Sequence, residues 1–188
     1  MEITKKVDCI QVDGLFGHAS HTVKLRESEP TILLAPNGAG KTHILRLTAA
    51  ALSLDGSTLV ETVFSILTIR LTDGRELVIN RSVLPDGPVS VTIQVWAGGE
   101  RSGDSIEFKS SDLEDADDTL PPGIRKVGPN RWLNERTGIS YSASEAERRF
   151  GARSNPLVAL AKNNPAISEI CGQPRPVFID TWRLDASP

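Results

Sequence analysis

The chain has 188 residues and a mass of 20.3 kDa, a length that suits one domain with an elaboration better than two full domains. With 39% hydrophobic and 24% charged residues and a mean hydropathy of −0.18, it lacks the composition of a disordered protein, and no apolar run approaches the roughly 20 residues that cross a bilayer. A net charge of −3 excludes a global positive field for nucleic acid, and Cys9 and Cys171 sit in no metal-binding or disulfide-framework spacing. Together with an N-terminus that leads into no signal-peptide core, this gives the expectation of a cytoplasmic protein without a membrane partner, in which any DNA contact needs a local patch.

Along the chain, the first informative segment is Thr31-Ile32-Leu33-Leu34, a short apolar run that ends at a Pro/Gly-rich turn and predicts a buried strand of an α/β sheet. The turn itself, Ala35-Pro36-Asn37-Gly38-Ala39-Gly40-Lys41-Thr42, matches the phosphate-loop pattern G-x-x-x-x-G-K-[ST] (the Walker A motif) with Ala in place of the first Gly. Small residues belong there because backbone N–H groups must turn inward toward phosphate oxygens at the positive end of a helix. In that chemistry Lys41 reaches the β- and γ-phosphates as a point charge, and the Thr42 hydroxyl holds the bridging Mg²⁺. Asn37, Gly38, Ala39, Gly40, Lys41, Thr42 and His43 are therefore the candidate cofactor-binding residues, for ATP with Mg²⁺, and Thr42 is the candidate metal ligand. Ile44, Leu47, Ala51 and Leu54 then recur at helical spacing, with Leu45 and Leu52 beside them, and predict the helix that follows the loop.

Leu67, Ile69 and Leu71 alternate, as do Leu77 and Ile79, so the segment reads as a hairpin. A three-residue loop, Thr72-Asp73-Gly74 with Gly74 left-handed, places Ile69 opposite Leu77 and Leu67 opposite Ile79 and gathers one apolar face, which a two-residue loop does not. Val89, Val91, Ile93 and Val95 predict another strand. Residues 97–128, rich in Gly, Ser, Asp and Pro and carrying the acidic run Asp112 to Asp118, read as a mobile, solvated loop rather than a metal site. Arg125, Lys126, Arg131 and Arg136 bracket Trp132; the plainer account is a surface loop anchored by that Trp, the other a nucleic-acid contact. Ser142 stands three residues before Glu145, as in a capping box that opens a short helix, and Pro156 to Lys162 and Pro165 to Cys171 predict further helical turns. His18, His21 and His43 have no carboxylate or cysteine companions and read as solvated turn residues.

The form Pro36-Asn37-Gly38-Ala39-Gly40-Lys41-Thr42 after an apolar strand resembles the ATP-binding-cassette superfamily of AAA-type phosphate-loop ATPases. Within it the chain is most similar to the branch of RecF-like, structural-maintenance-of-chromosomes-like and overcoming-lysogenization-defect-like proteins, which work in DNA repair and phage defence. Ile10 to Gly17 followed by Thr22 to Leu25 resembles the paired N-terminal strands of that branch, and the resemblance implies nucleotide contacts at Phe16, Gly17 and His18. The downstream alternating strands resemble its antiparallel β-subdomain. The implied fold is an α/β phosphate-loop NTPase N-terminal lobe with that subdomain and with the C-terminal lobe absent. Residues 1–188 then form one ATP-binding lobe: 1–83 with the N-terminal strands, loop, helix and hairpin; 84–140 with the subdomain strand and acidic insert; 141–188 with the helical segment and last strand.

Pro176 to Asp180 offers an apolar strand ending in an acid, where Asp180 reads as a Walker-B Asp. Ser168 to Gln173 faintly suggests a cassette signature, but only the tripeptide Pro174-Arg175-Pro176 separates it from that strand, a spacing that rejects the pairing. Phe178 to Leu184 instead resembles the passage between lobes, with Trp182 where the family often has Gln and Arg183 still matching. A lone lobe binds MgATP without the groups that complete hydrolysis, so no catalytic residue is assigned, and the expected partners are ATP, a C-terminal lobe or second subunit, and a nucleotide-driven dimer. Two other readings stay open: a stand-alone kinase or nucleotidase using Asp180, and a non-catalytic interaction module derived from such an ATPase.

Overall fold

The computed structural model describes residues 6–26, 28–83, 87–117, 122–128, 131–142, 149 and 156–171. Its centre is an antiparallel sheet of seven strands: β1 (Val7–Leu15), β2 (Ala19–Lys24), β3 (Ile66–Leu71), β4 (Arg75–Val83), β5 (Val89–Ala97), β6 (Glu100–Arg101) and β7 (Ile106–Lys109). The order is β2-β1-β3-β4-β5-β6, with β7 also paired to β5. The helices are α1 (Lys41–Ser53), α2 (Gly56–Glu61), α3 (Ser110–Asp117), α4 (Pro156–Lys162) and α5 (Pro165–Cys171). A separate small sheet joins β8 (Ile124–Gly128), β9 (Arg131–Asn134) and β10 (Ser140–Ser142).

Register explains the core. Pairing places Val12 opposite Leu67, Leu67 opposite Ile79, Ile79 opposite Ile93 and Ile93 opposite Ile106, so one apolar row crosses five strands. A second row runs Ile10, Ile69, Leu77 and Val95. All nine side chains are buried, whereas Gln11, Thr68, Gln94 and Thr92 on the opposite face are exposed or half-buried, the alternation of a sheet covered on one side. The cover includes α1, through Ile44, Leu47, Ala50 and Ala51, and α5, through Ile167 and Ile170. The hairpin has the expected three-residue loop: Leu67 faces Ile79, Ile69 faces Leu77, and Gly74 takes φ 85°. Helix α1 buries Ile44, Leu47, Ala51 and Leu54 as its spacing predicts, the strand at Val89 to Val95 forms, and the two late helices fall on the expected residues.

Three expectations are corrected. Thr31 to Leu34 is no buried strand: it belongs to neither sheet, and Ile32 and Leu34 are 79% and 90% exposed, because no strand among the described residues hydrogen-bonds to it. The segment from 97 to 128 is not one loop. It contains β7, whose Ile106 and Phe108 are buried against Ile93 and Val91, and α3, where Asp112 accepts the Lys109 amide at 2.7 Å. Two inward apolar residues among polar ones suffice for a four-residue edge strand once β5 supplies the ladder. Trp132 stands within β9, not in a loop. The capping box at 142–145 and the 176–184 segment with Asp180, Trp182 and Arg183 lie outside the described residues, apart from Ser142 as the last residue of β10. Among the described residues no helix is long and apolar enough to cross a membrane.

Polar ties lock the helices to the sheet. Arg75, at the start of β4, contacts Asp73 at 2.7 Å and Glu169 of α5 at 2.9 Å, and these bonds hold its guanidinium above the ordinary range against the effect of burial. Buried Asn164 accepts from the Ile167 amide at 3.2 Å and donates to the Asp104 carbonyl at 2.6 Å, so the α5 cap also anchors the turn before β7. Cys171 closes α5 under α1, its Sγ–H directed at the Ala51 carbonyl 3.6 Å away, and burial pushes this thiol up to about 12 from its ordinary 9.0. A raised folded-state value means that stability is complete below about pH 9 and falls as pH rises from there toward 12, because the unfolded thiol ionises first. Iodoacetamide at pH 8 is expected to leave Cys171 unmodified in the native protein and to label it after urea unfolding, as read by peptide mass spectrometry.

Candidate functional site

The loop that carries Asn37 to Lys41 is set by its glycines. Gly38 and Gly40 take φ 84° and 85°, the left-handed region that an L side chain adopts at a cost, and between them the Ala39 amide bonds the Pro36 carbonyl at 3.2 Å. Helix α1 starts directly behind, its first intrahelical bond running from the Ile44 amide to the Gly40 carbonyl at 2.9 Å. Gly40 caps this helix without a side chain, so the amides of Lys41, Thr42 and His43 precede the ladder and face the loop mouth. The Lys41 ammonium folds back across the loop and donates to the carbonyls of Ala35 at 2.6 Å and Pro36 at 2.9 Å. Thr42 is exposed beside it. Free helix-terminal amides, a turn with left-handed glycines and an ammonium at its rim together form a concavity suited to an anion.

The β1–β2 turn sits against this loop. A Cβ on Gly40 would lie 2.7 Å from Leu15 Cδ2, 3.4 Å from Phe16 Cε2 and 3.8 Å from His21 Nε2, so the hairpin rests on the glycine's bare backbone. Phe16 itself is held at φ 56°, rare for a bulky residue. Its amide donates to the Val63 carbonyl at 2.9 Å, and the Gly17 amide closes the turn on Gly14 at 2.9 Å. Gly14 leaves no room for a side chain, since a Cβ there would overlap Ser65 Oγ. The Phe16 ring stays 41% exposed and meets His43 edge-on, centroids 4.9 Å apart at 80°.

An open cleft of about 390 Å³ lies at this ring pair, lined by Phe16, His43, Glu61, Thr62 and Val63. Phe16 thus has the Gly40 backbone as one neighbour and the cleft as another, joining the loop to a half-apolar recess.

Of the sequence-predicted residues, the structure brings Phe16, Gly40 and His43 together, with Asn37 to Thr42 along one continuous turn and helix start. His43 is not a solvated turn residue but packs on Phe16. Gly17 lies in open space in the turn, and His18, whose Nδ1 meets the Phe16 carbonyl at 3.1 Å, does not line the recess. The residues that sequence reasoning missed are Leu15, Glu61, Thr62 and Val63. Glu61 ends α2 and Thr62 and Val63 follow it, Asp55 capping that helix through the Thr58 amide at 3.4 Å and hydroxyl at 2.8 Å, and no motif marks them. No group of three or more His, Cys, Asp or Glu that could hold a metal occurs among the described residues.

The glycine geometry gives a graded test. Gly38→Ala, which points into open space, is expected to cost only the left-handed penalty of about 1–2 kcal/mol. Gly40→Ala adds overlap with Leu15 and should cost about 1–3 kcal/mol more in urea denaturation. Equal costs would remove the hairpin from the loop's support. Comparison with known proteins finds no family model that matches the chain and no match among curated proteins.

Proposed function

We propose that this chain binds MgATP, with the triphosphate in the loop of Asn37 to Thr42 and on the first turn of α1, Thr42 on the Mg²⁺, and the base in the recess beside Phe16 and His43. One observation carries this reading: the 37–42 loop has left-handed Gly38 and Gly40, an uncapped helix start and a lysine folded over its own carbonyls. The lysine contacts go to neutral carbonyls, which a phosphate would replace with an ion pair as well as a hydrogen bond. His43, at the end of the run of free amides, stands between the loop and the recess, which fits the span from phosphates to base.

The motif and this geometry support placing the chain with the ATP-binding-cassette, RecF-like and structural-maintenance-like ATPases, as the lobe that carries the phosphate loop. Ile32 and Leu34, 79% and 90% exposed, form no strand leading into the loop. A C-terminal lobe or second subunit would cover them and supply the acid and water-orienting groups of hydrolysis. In this reading nucleotide binding drives association of lobes, and turnover by the isolated chain is very slow.

Calorimetric titration with MgATP tests the proposal. Wild type should bind, and Lys41→Ala should lose roughly 10- to 100-fold in affinity, the weight of a hydrogen bond to a charged group. Removing Mg²⁺ should weaken wild type and have less effect on Thr42→Val. A Lys41→Ala protein that binds MgATP as tightly as wild type overturns the reading.

A further inference from the structure

The recess contains an acid with no evident structural task. Glu61 is exposed, makes no hydrogen bond or ion pair to another described residue, and ends α2, the terminus at which a carboxylate is electrostatically disfavoured. Thr62, next to it, also lines the recess, and its amide is spent on the Thr58 carbonyl at 3.1 Å while its hydroxyl is not engaged within the described structure. The recess therefore offers an obligate acceptor, the carboxylate, beside a hydroxyl that can donate or accept, with Phe16 and His43 in the same lining.

We propose that Glu61 and Thr62 select adenine by reading its six-membered-ring edge, the carboxylate accepting from the exocyclic amine at C6 and the Thr62 hydroxyl donating to N1. The inference rests on the reading of the site as an ATP pocket and adds which residues read the base. Adenine presents donor then acceptor at these two positions. Hypoxanthine and guanine present a carbonyl and an N–H, the reverse order. A hydroxyl can rotate to meet either, but an ionised carboxylate cannot donate, so a carbonyl oxygen placed against Glu61 is repelled and left unpaired. Stacking on Phe16 tolerates every base, so the discrimination falls to the polar pair.

MgITP is the probe, since inosine differs from adenosine only at this edge, with a carbonyl in place of the C6 amine and an N–H in place of the N1 acceptor. In calorimetric titrations wild type is expected to bind MgATP at least tenfold more tightly than MgITP. Glu61→Gln, at an exposed position that should not disturb folding, supplies an amide that can donate to the carbonyl, so the preference should fall to within about threefold, with MgITP binding improved. Thr62→Val should weaken both nucleotides and leave the preference in place. Equal wild-type affinity for the two nucleotides, or an unchanged preference in Glu61→Gln, overturns the assignment while leaving the phosphate loop intact. Failure of wild type to bind either nucleotide overturns the pocket reading and this inference with it.

Discussion

Gly40 supports both the loop and the hairpin above it. Its missing side chain lets Leu15 and Phe16 settle onto the loop backbone, and its left-handed φ turns the chain into α1. The two requirements coincide at one residue: any Cβ there would strain the turn and push the hairpin away. The sheet transmits the constraint, because Leu15 is the last residue of β1, and β1 is bound to β3 along a buried row that reaches β7. The sheet thus positions the loop through the contact of Leu15 and Phe16 with Gly40 and of Phe16 with His43.

Strain at Phe16 belongs to the same arrangement. The residue is fixed from three sides: Gly14 beneath Ser65, the Phe16 amide on Val63, and the His43 ring. A bulky left-handed residue costs of order 1–3 kcal/mol, and burial does not return it here, since the ring remains half open. Stability alone would place a glycine or asparagine at this position. The aromatic makes sense if its exposed face is occupied in the working state, and the recess beside it, bounded by polar Glu61 and Thr62, is where an occupant would lie.

Legibility in the sequence followed the range of the interactions. Local patterns decided the hairpin, where the length of the Thr72-Asp73-Gly74 loop and the alternation of Leu67, Ile69, Leu77 and Ile79 admit only one register with a common apolar face. The turn before α1 was equally local, because Gly38 and Gly40 take left-handed φ and Lys41 bonds the Ala35 and Pro36 carbonyls within a few residues of one another. Glu61, Thr62 and Val63 carried no signal, since their place in the recess depends on the Phe16 amide reaching Val63 across 47 residues of chain. Strand β7 was missed for a related reason: Ile106 and Phe108 become a strand only because Ile93 and Val91 face them.

The failure at Thr31 to Leu34 has a different origin. Its composition specifies a strand buried on both faces, and such strands belong to parallel sheets covered by helices on each side. The described sheet is antiparallel, and its open edge at β2 presents no partner to this segment. Local preference and tertiary surroundings therefore disagree at Ile32 and Leu34, and a sequence whose local signals are otherwise consistent with its fold rarely leaves such a conflict without a use. Two large apolar side chains in water beside the Gly38–Gly40 turn are costly on solubility grounds, and that cost is removed when another surface covers them.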